Sequence, residues 1–156
     1  MVPRIIRRKI KMKFHIRDAR PSDTHLLEYW DTLPHIIAAD PSGNEAWEEE
    51  LKASYDWREQ WIAEVNSTPI GYLQIIDPAE EISNYWQLKE NGFRAIDIWI
   101  GPPEYLNRGF GTKMMNEAIT WCLEQDNVHT ILIDPLKSNT DAHRFYQRLG
   151  FEPVDE

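Results

Sequence analysis

The amino-acid sequence predicts an α/β fold in which helices cover a mixed sheet, and the order of its periodic segments is the main reason. Strand-like runs alternate with helical periodicity in the order strand, two helices, three strands, helix, strand, helix and a short final strand. A length of 156 residues with 42% hydrophobic residues suits one domain with an ordinary core. We therefore expect a basic extension at residues 1–13, disordered or added to the first strand, and one domain over 14–156.

The first half of the chain supplies a strand, two helices and a hairpin. Residues 14–17 are predicted as a strand, and Pro21-Ser22-Asp23 starts a helix. The apolar face of that helix consists of Leu26, Leu27, Trp30 and Leu33. A second helix begins near Gly43-Asn44, and its predicted face consists of Trp47, Leu51, Ser54 and Tyr55. Residues 61–65 and 70–76, joined by a turn at 66–68, predict the hairpin.

The second half places two long periodic segments around a glycine-rich turn. After a polar, acidic loop at 78–91, residues 93–100 predict a strand that Gly101-Pro102-Pro103 stops. The next helix follows Gly109-Phe110-Gly111 and has the apolar face Met114, Met115, Ala118, Ile119, Cys122 and Leu123. Residues 128–133 predict a strand, and Thr140 or Asp141 caps a last helix that Gly150 ends. The buried stripe of that helix consists of Ala142, Phe145, Tyr146 and Leu149.

The charge distribution favours a cationic partner. The net charge is -9, but six of the 17 basic residues lie in residues 1–13, which leaves 11 basic against 26 acidic groups, or -15. Such a potential disfavours nucleic acid and concentrates cations near acidic clefts. Acidic surfaces also serve solubility alone, and that reading stays open.

Targeting signals and metal motifs are missing from the sequence. No apolar run approaches the roughly 20 residues that span a bilayer, so we expect no membrane association and a cytoplasmic protein. Met12 offers a second translation start before the first strand. The single cysteine, Cys122, is predicted to be a buried thiol, and the scattered histidines show no metal-ligand spacing, so we expect no metal.

The turn before the long helix has the features of an anion site. Backbone N–H groups at a helix N-terminus lack partners and carry a positive partial charge, and glycine permits close approach of a phosphate. A Gly-x-Gly turn alone is a weak signal. No Gly-Lys-Ser/Thr follows, which excludes the nucleotide-kinase loop.

Two motifs together resemble a known family. The segment 106–113, Leu-Asn-Arg-Gly-Phe-Gly-Thr-Lys, resembles the coenzyme A pyrophosphate loop, Gln/Arg-x-x-Gly-x-Gly/Ala, of the GCN5-related N-acetyltransferases (GNAT). The segment from Asn139 to Phe151 is similar to that family's second signature, Asn-x-x-Ala-x-x-x-Tyr-x-x-x-Gly-Phe. The likeness covers roughly residues 14–153. It implies the GNAT fold, with six or so strands, four flanking helices, and a splayed strand pair that receives acetyl-coenzyme A as co-substrate.

The resemblance also implies the residues that bind the coenzyme. They are Ile98, Trp99, Ile100, Leu106, Asn107, Arg108, Gly109, Phe110, Gly111, Thr112 and Asn139. Backbone donors around Trp99 would polarise the thioester carbonyl. Leu106 departs from the family pattern, because Gln or Arg is usual there. Phosphate binding must therefore depend on backbone amides and on Arg108.

Three further segments resemble aminoglycoside 6'-N-acetyltransferases within the family. They are residues 69–74, 95–97 and 130–135 running on to Ser138-Asn139. The likeness implies transfer of acetyl to a primary amine of a cationic small molecule, by direct attack in a ternary complex. Acetylation of polyamine, metabolite or protein amines, and a non-catalytic acyl-coenzyme A sensor, are the alternatives.

The same resemblance assigns three chemical roles. Asp97 matches the base that takes a proton from the amine, Asp134 matches an acidic position that holds the cationic sugar, and Tyr146 matches the acid that protonates the departing thiolate. Each of the three residues also has a purely structural explanation. Asp97 in mid-strand must be paired or solvated, Asp134 before Pro135 fits a turn, and Tyr146 on a buried stripe fits packing.

Several aromatic and acidic residues are candidates for binding the acceptor. They are Trp47, Tyr85, Trp86 and Asp77, with Glu80 and Glu81. Tyr85 and Trp86 interrupt a polar loop that offers them no core, whereas Trp47 at helical spacing also fits the core.

The end of the printed chain leaves the oligomeric state open. The family usually closes with two strands after the last helix, but only five residues follow Phe151, so one short strand fits. The sheet edge is then exposed, or a second copy covers it, and we expect a monomer or a homodimer.

Overall fold

The computed structural model describes residues 1–7, 12–41 and 46–154. Within these ranges the elements are β1 (Phe14–Asp18), α1 (Thr24–Trp30), α2 (Pro34–Ala39), α3 (Trp47–Lys52), β2 (Arg58–Val65), β3 (Thr68–Ile76), β4 (Phe93–Ile100), α4 (Phe110–Leu123), β5 (Thr130–Leu132) and α5 (Thr140–Arg148). Short 3-10 turns precede α1 and α4. The α/β prediction is confirmed. None of the described helices is both long and apolar enough to cross a bilayer.

One mixed sheet organises the fold. Its strands lie in the order β1-β2-β3-β4-β5, and every neighbouring pair is antiparallel except β4 with β5, which is parallel. The β2–β3 hairpin turns tightly, because Asn66 and Ser67 both adopt positive φ angles, 49° and 67°. The predicted hairpin is therefore confirmed, but both strands are longer than expected, and Thr68, expected in the turn, begins β3.

The two strands at one edge of the sheet diverge, as the predicted splayed pair requires. On one side β4 pairs with β3 as far as Ile100. On the other side it pairs with β5 only through Phe93, Arg94 and Ala95. The edge of β4 that faces β5 is therefore unpaired from Ile96 to Ile100, and this gap lies beside the turn that leads into α4.

One face of the sheet is closed by α4. The buried residues of that helix are Phe110, Met114, Met115, Ala118 and Cys122. The predicted apolar face is correct for Met114, Met115, Ala118 and Cys122, but Leu123 in the last turn is 53% exposed. The helix lies so close to β3 that a Cβ on Gly71 would stand 2.6 Å from Met114 Cε. Only glycine allows this approach without a shift of the helix side chain. A tightly packed core thus lies between α4 and the sheet.

The other face carries a smaller core and leaves part of the sheet open. Leu27 and Trp30 of α1 pack with Trp47 and Leu51 of α3 against Ile62 and Tyr72. The Trp30 ring lies over the backbone at the end of β4, since a Cβ on Gly101 would stand 2.1 Å from it. This cluster covers only one end of the face, and the rest borders a cavity.

Two predicted helices end earlier than expected. The first was expected to reach Leu33, but α1 ends at Trp30 and a separate helix, α2, begins at Pro34. Proline suits a first helical position, and its ring restricts the preceding residue to extended backbone. Helix α3 ends at Lys52, so Ser54 and Tyr55 lie outside it. The predicted start near Gly43-Asn44 lies outside the described residues.

The described residues therefore contain five α-helices instead of four, and their sheet has five strands instead of six or so. The strand expected after α5 is absent through Val154. Phe151 instead turns back onto α5, where its amide bonds to the Tyr146 carbonyl and its ring contacts the Tyr146 ring at 5.7 Å. The predicted cap of α5 is also wrong, because the side chain of Asn139 accepts the capping bond, from the Ala142 amide.

Candidate active site

A cavity of about 750 Å³ lies on the open face of the sheet. Its walls come from α2, α3, the loop between β3 and β4, and the start of α5. The charged side chains that line it are Asp31, Asp40, Glu50, Glu81, Asp97, Asp134 and Arg58. With six carboxylates and one cation in this lining, the cavity attracts cations, as the acidic composition predicted.

The floor of the cavity is a polar row across three strands. Gln60 of β2 is in register with Gln74 of β3, which is in register with Asp97 of β4. Side chains at paired positions share one face of a sheet, so these three lie side by side. The neighbouring row, Ile62, Tyr72 and Trp99, is aromatic and apolar. The cavity floor therefore ends at a carboxylate on the splayed strand.

Asp97, the predicted general base, lies on the cavity floor. The Asp97 side chain is exposed to the cavity that it lines. Gln74 Nε2 donates a hydrogen bond to Asp97 Oδ2 at 3.3 Å. Desolvation raises the pKa of Asp97, the nearby charges of Asp40 and Asp134 raise it further, and the Gln74 bond opposes them only in part. A carboxylate with a raised pKa is a better proton acceptor than an ordinary one.

Tyr146 lines the same cavity from α5. Desolvation, together with the negative charge of Asp97, raises the pKa of Tyr146 to about 12. The hydroxyl is therefore protonated at neutral pH and available as a donor. Tyr146 also packs against Phe145 and Phe151 at 5.1 and 5.7 Å between ring centroids, so the packing and chemical readings of this residue are compatible.

A bond between Tyr85 and Asp134 fastens the β3–β4 loop over the cavity. The Tyr85 hydroxyl donates to Asp134 Oδ2, although the Tyr85 side chain is 65% exposed. This bond, helped by desolvation, raises the pKa of Tyr85 to about 12. Trp86 meets the Tyr85 ring edge-on at 5.6 Å. All three residues line the cavity, so three of the predicted acceptor-binding residues lie together.

Trp47 forms part of the cavity wall. Its side chain is only 3% exposed, and its Nε1 donates to Asp31 Oδ2 at 2.6 Å. The ring meets Tyr72 at 5.1 Å and Trp99 at 5.9 Å. Desolvation raises the pKa of Asp31 despite the bond from Trp47. Trp47 therefore belongs to the core and borders the acceptor space at once.

The predicted phosphate loop has the backbone of an anion site. Asn107 and Gly109 adopt left-handed φ angles of 58° and 83°, and α4 begins at the next residue. The first bond of this helix runs from the Lys113 amide to the Gly109 carbonyl at 3.2 Å, which leaves the amides of residues 110–112 without an intrahelical acceptor. No atom of the described residues lies within 4 Å of a Cβ built on Gly109, so these residues leave the front of this turn open.

The side chains of the loop contribute little to a phosphate site in this conformation. Leu106 carries no donor, as noted from the sequence. Arg108 lies against the rings of Tyr105 and Phe110, at 5.4 and 5.5 Å, and its Nη1 donates to the Glu104 carbonyl at 3.3 Å. The backbone amides, with Thr112 in the first turn, are therefore the main donors of the loop.

The loop, the splayed strand and α5 meet at one place. A Cβ on Gly111 would stand 3.4 Å from the Phe145 ring and 3.9 Å from Ile100 Cδ1. Phe145 is the chain neighbour of Tyr146, and Ile100 is the last residue of β4, so the N-terminus of α4 contacts both elements that carry the catalytic candidates. Asn139 also lines the cavity, where its side-chain oxygen Oδ1 caps α5.

The backbone N–H and C=O groups of every second residue of β4 point toward the gap between β4 and β5. The Gly92 carbonyl accepts from His129 and Thr130 on the β5 side, whereas the Gly101 amide donates to Ile70 on the β3 side. Backbone groups of successive strand residues point to alternate sides. The N–H and C=O groups of Ile98 and Ile100 therefore point toward the gap, and those of Trp99 point toward β3. The Trp99 carbonyl accordingly lies 2.9 Å from a Cβ built on Gly71. The Ile100 carbonyl is bonded to His35 Nε2 at 2.8 Å.

Two of the candidate acidic residues lie elsewhere. Asp77 points to the opposite side of the sheet, where it pairs with Arg94 at 3.3 Å and accepts from the Ala79 amide at 3.0 Å. Glu80 does not line the cavity, whereas Glu81 does. Alternation along β3 explains the position of Asp77. The side chains of Gln74 and Ile76 face the cavity, so that of Asp77, the next residue after Ile76, faces away.

Sequence reasoning missed several residues of the cavity. They are Gln60, Gln74, Tyr55, Trp57, Arg58, Asp31 and Asp40. The polar alternation of β2 and β3 was a usable signal for the two glutamines, because a glutamine between apolar strand residues marks a solvated face. No comparable signal marked Asp31 and Asp40, which follow α1 and α2.

Comparison with known proteins agrees with this geometry. Over 93 residues the chain is 32% identical to the aminoglycoside N(6')-acetyltransferase type 1 of Klebsiella pneumoniae. That match covers 59% of this chain and 46% of the Klebsiella protein, so it spans about half the length of this relative.

Solved structures extend the likeness over the whole fold. The crystal structure of aminoglycoside acetyltransferase AAC(6')-Ib in complex with coenzyme A and kanamycin superposes with a TM-score of 0.79 at 26% identity, covering 91% of this chain and 86% of that one. An uncharacterised protein of Bacillus halodurans shares the fold with a TM-score of 0.81 at 23% identity, over 93% of this chain and 77% of that one.

The family assignment follows from residues 20–156, which match the acetyltransferase (GNAT) domain. The matched range includes the open turn before α4, the splayed strand β4 and the whole lining of the cavity. The chain belongs to the GNAT acetyltransferase family.

Proposed function

We propose that this protein transfers acetyl from acetyl-coenzyme A to a primary amine of an aminoglycoside, at the 6' position, by direct attack in a ternary complex. The observation that carries the proposal is the position of Asp97. This carboxylate lies on the splayed strand, at the end of an acidic cavity, and the last residue of that strand, Ile100, contacts the N-terminus of α4. An amine acceptor and a thioester meet at this point.

The residues of the loop and of β4 fit acetyl-coenzyme A. The amides of residues 110–112 suit its pyrophosphate, and the open front of Gly109 admits it. The free edge of β4 at Ile98 suits the amide groups of the pantetheine arm. When bound, acetyl-coenzyme A supplies an activated acyl group with a thiolate leaving group.

Asp97 and Tyr146 handle the protons of the transfer. An ammonium cannot attack, so Asp97 takes a proton from the acceptor, directly or through water. The amine nitrogen then forms a bond to the acetyl carbon as the carbon–sulfur bond breaks, and the nitrogen loses a second proton, through water, which restores the proton that Tyr146 gives up. Tyr146 gives its proton to the departing sulfur.

Acidic and aromatic residues of the cavity hold the acceptor. Asp134, fastened to Tyr85, provides a carboxylate for a second ammonium group, and Trp86 borders it. The six carboxylates of the lining suit a polycation better than a monoamine. Similarity to aminoglycoside acetyltransferases, one of them crystallised with kanamycin, supports this choice of acceptor. The cytoplasm, which holds acetyl-coenzyme A, is the proposed compartment.

A thiol-release assay with acetyl-coenzyme A tests the proposal. The panel contains kanamycin, ribostamycin, spermidine and a lysine-containing peptide, with mass spectrometry of each product. We expect rapid release with the two aminoglycosides and an added acetyl at the 6' amine of kanamycin. Turnover confined to spermidine or the peptide would contradict the aminoglycoside assignment. Coenzyme binding with no release on any amine would indicate a sensor.

A further inference from the structure

An aromatic stack lies at the end of the cavity remote from Asp97. The rings of Tyr55 and Trp57 are 4.7 Å apart and nearly parallel, at 16°. Both residues line the cavity, and Tyr55 is 38% exposed. A large aromatic ring that is open to an acidic cavity has surface available for a ligand.

The outer face of Tyr55 is not covered by its charged neighbour. The Arg58 guanidinium carbon lies 4.9 Å from the Tyr55 ring and 5.6 Å from the Trp57 ring. If Arg58 lay on the face of Tyr55 that points away from Trp57, its guanidinium would be about twice as far from the Trp57 ring as the Tyr55 ring is. Arg58 is therefore beside the stack, Trp57 bounds one face of Tyr55, and the 38% of Tyr55 that is exposed among the described residues lies away from Trp57.

The stack is held in place by a buried network. The Arg58 side chain is only 6% exposed, pairs with the Glu50 carboxylate and donates to the Glu50 carbonyl at 3.0 Å. The Arg58 amide donates to the Tyr55 carbonyl at 3.2 Å, and Gln60 also bonds to the Glu50 carbonyl, at 3.1 Å. A ring that is fixed before binding loses little conformational freedom when a ligand stacks on it.

The distance from the reacting amine to the stack sets the size of the ligand. Arg58 is in register with Ile76, which is in register with Ala95, two residues before Asp97. With strands ~4.8 Å apart and a rise of ~3.4 Å per residue, the Cα atoms of Arg58 and Asp97 are ~12 Å apart. One sugar ring at Asp97 is shorter than this separation. An acceptor therefore needs a second or third ring to span from Asp97 to the stack beside Arg58.

We propose that the open face of Tyr55 is a stacking subsite for the distal ring of a multi-ring cationic acceptor. This inference deepens the proposed function and depends on it. The C–H face of a saturated ring lies on the aromatic face, and ammonium groups on that ring are attracted both by the π-electrons and by the carboxylates of the lining. The subsite selects acceptors by length, at a distance from the chemistry.

Steady-state kinetics of Tyr55→Ala on two acceptors test the subsite. One acceptor is kanamycin, with three rings, and the other is a single-ring amino sugar that carries the same primary amine. We expect kcat/KM for kanamycin to fall roughly twofold to twelvefold through KM, since aromatic contacts contribute about 0.5–1.5 kcal/mol and each 1.4 kcal/mol is a factor of ten. For the single-ring acceptor we expect a change of less than about twofold. Tyr55→Phe, which keeps the ring, should match the wild type on both.

The outcomes separate this inference from the proposed function. If the wild type acetylates neither acceptor, the proposed function fails and the subsite fails with it. If the wild type acetylates both and Tyr55→Ala changes neither, or lowers both equally, only the subsite is overturned. Thermal unfolding and coenzyme A binding of each variant show whether the fold and the coenzyme site are intact.

Discussion

The two faces of the sheet have opposite properties, although the same strands build both. On the face covered by α4, Leu73 and Ile75 of β3 are buried in a continuous apolar core. On the other face, Tyr72 and Gln74 of the same strand border a cavity lined by six carboxylates. Because side chains alternate along a strand, neighbouring residues serve stability and chemistry separately.

Two aspartates show the difference directly. Asp77 lies on the side of α4 and is paired with Arg94 and with the Ala79 amide. Asp97 lies on the cavity side, where it accepts a hydrogen bond from the neutral Gln74 and desolvation raises its pKa. A carboxylate that only stabilises is neutralised by a cation, whereas one that accepts protons is left with a raised pKa.

Removing a core side chain of the closed face should have the largest effect on stability. Met114→Ala deletes a fully buried side chain beside Gly71 and leaves a void under β3. We expect a loss of about 2–5 kcal/mol in the free energy of unfolding. Denaturant unfolding measures it. KM for the amine should be unchanged at a temperature where the variant is folded, and a large rise in KM would show that the two faces are not independent.

Asp77→Asn should lower stability without touching the chemistry. The variant leaves the buried Arg94 guanidinium without its anionic partner, at a cost of about 1–3 kcal/mol. Urea denaturation measures the loss, and a pH profile of kcat/KM should overlay that of the wild type. A displaced profile would place Asp77 in the active site.

Gly109→Ala tests the phosphate loop by its backbone. Gly109 has a φ of 83°, a left-handed conformation that costs an L-residue about 1–2 kcal/mol. Gly150→Ala is the matched control, because Gly150 has a φ of 101° and its Cβ would also meet open space. Both variants should lose similar stability, but only Gly109→Ala should weaken coenzyme A binding, several-fold by calorimetry. Equal affinities would remove this turn from the coenzyme site.

Gln74→Leu should have the smallest effect, a displaced pH profile. The Gln74 bond favours the charged carboxylate of Asp97, so its loss raises the Asp97 pKa further. Because the base acts in its deprotonated form, the acid limb of kcat/KM should move to higher pH. The surrounding groups, Asp40, Asp134, Tyr85 and Tyr146, are unchanged. Gln60→Leu, in the same row without a bond to Asp97, should leave the limb in place.

Some of the site was readable in the sequence because its residues break local rules. Aspartate is uncommon inside strands, and this marked Asp97. The Gly109-Phe110-Gly111 turn before a periodic helix marked the anion site. Both of these signals are local, and the structure brings the two places together through the length of β4 and the start of α4.

The remaining features depend on distant parts of the chain. Whether Asp77 faces the cavity depends on the register of β3 against its neighbours, and the direction of Phe151 depends on contacts with α5. Tyr55 was expected on a helix, but α3 ends at Lys52, and Tyr55 begins a turn through Asp56 and Trp57 that the Arg58 amide closes. Its side chain lines the cavity from this position. Tertiary packing decides each of these outcomes.

The pH dependence of kcat/KM for kanamycin, in the wild type and in Asp97→Asn, tests general-base catalysis most directly. We expect the wild-type rate to rise with pH along a limb above the ordinary carboxylate range, because burial raises the pKa of Asp97. Asp97→Asn should lose that limb and roughly ten- to ten-thousand-fold in rate, with coenzyme A binding retained. An Asp97→Asn variant with the wild-type rate and the wild-type limb would contradict the role of this carboxylate.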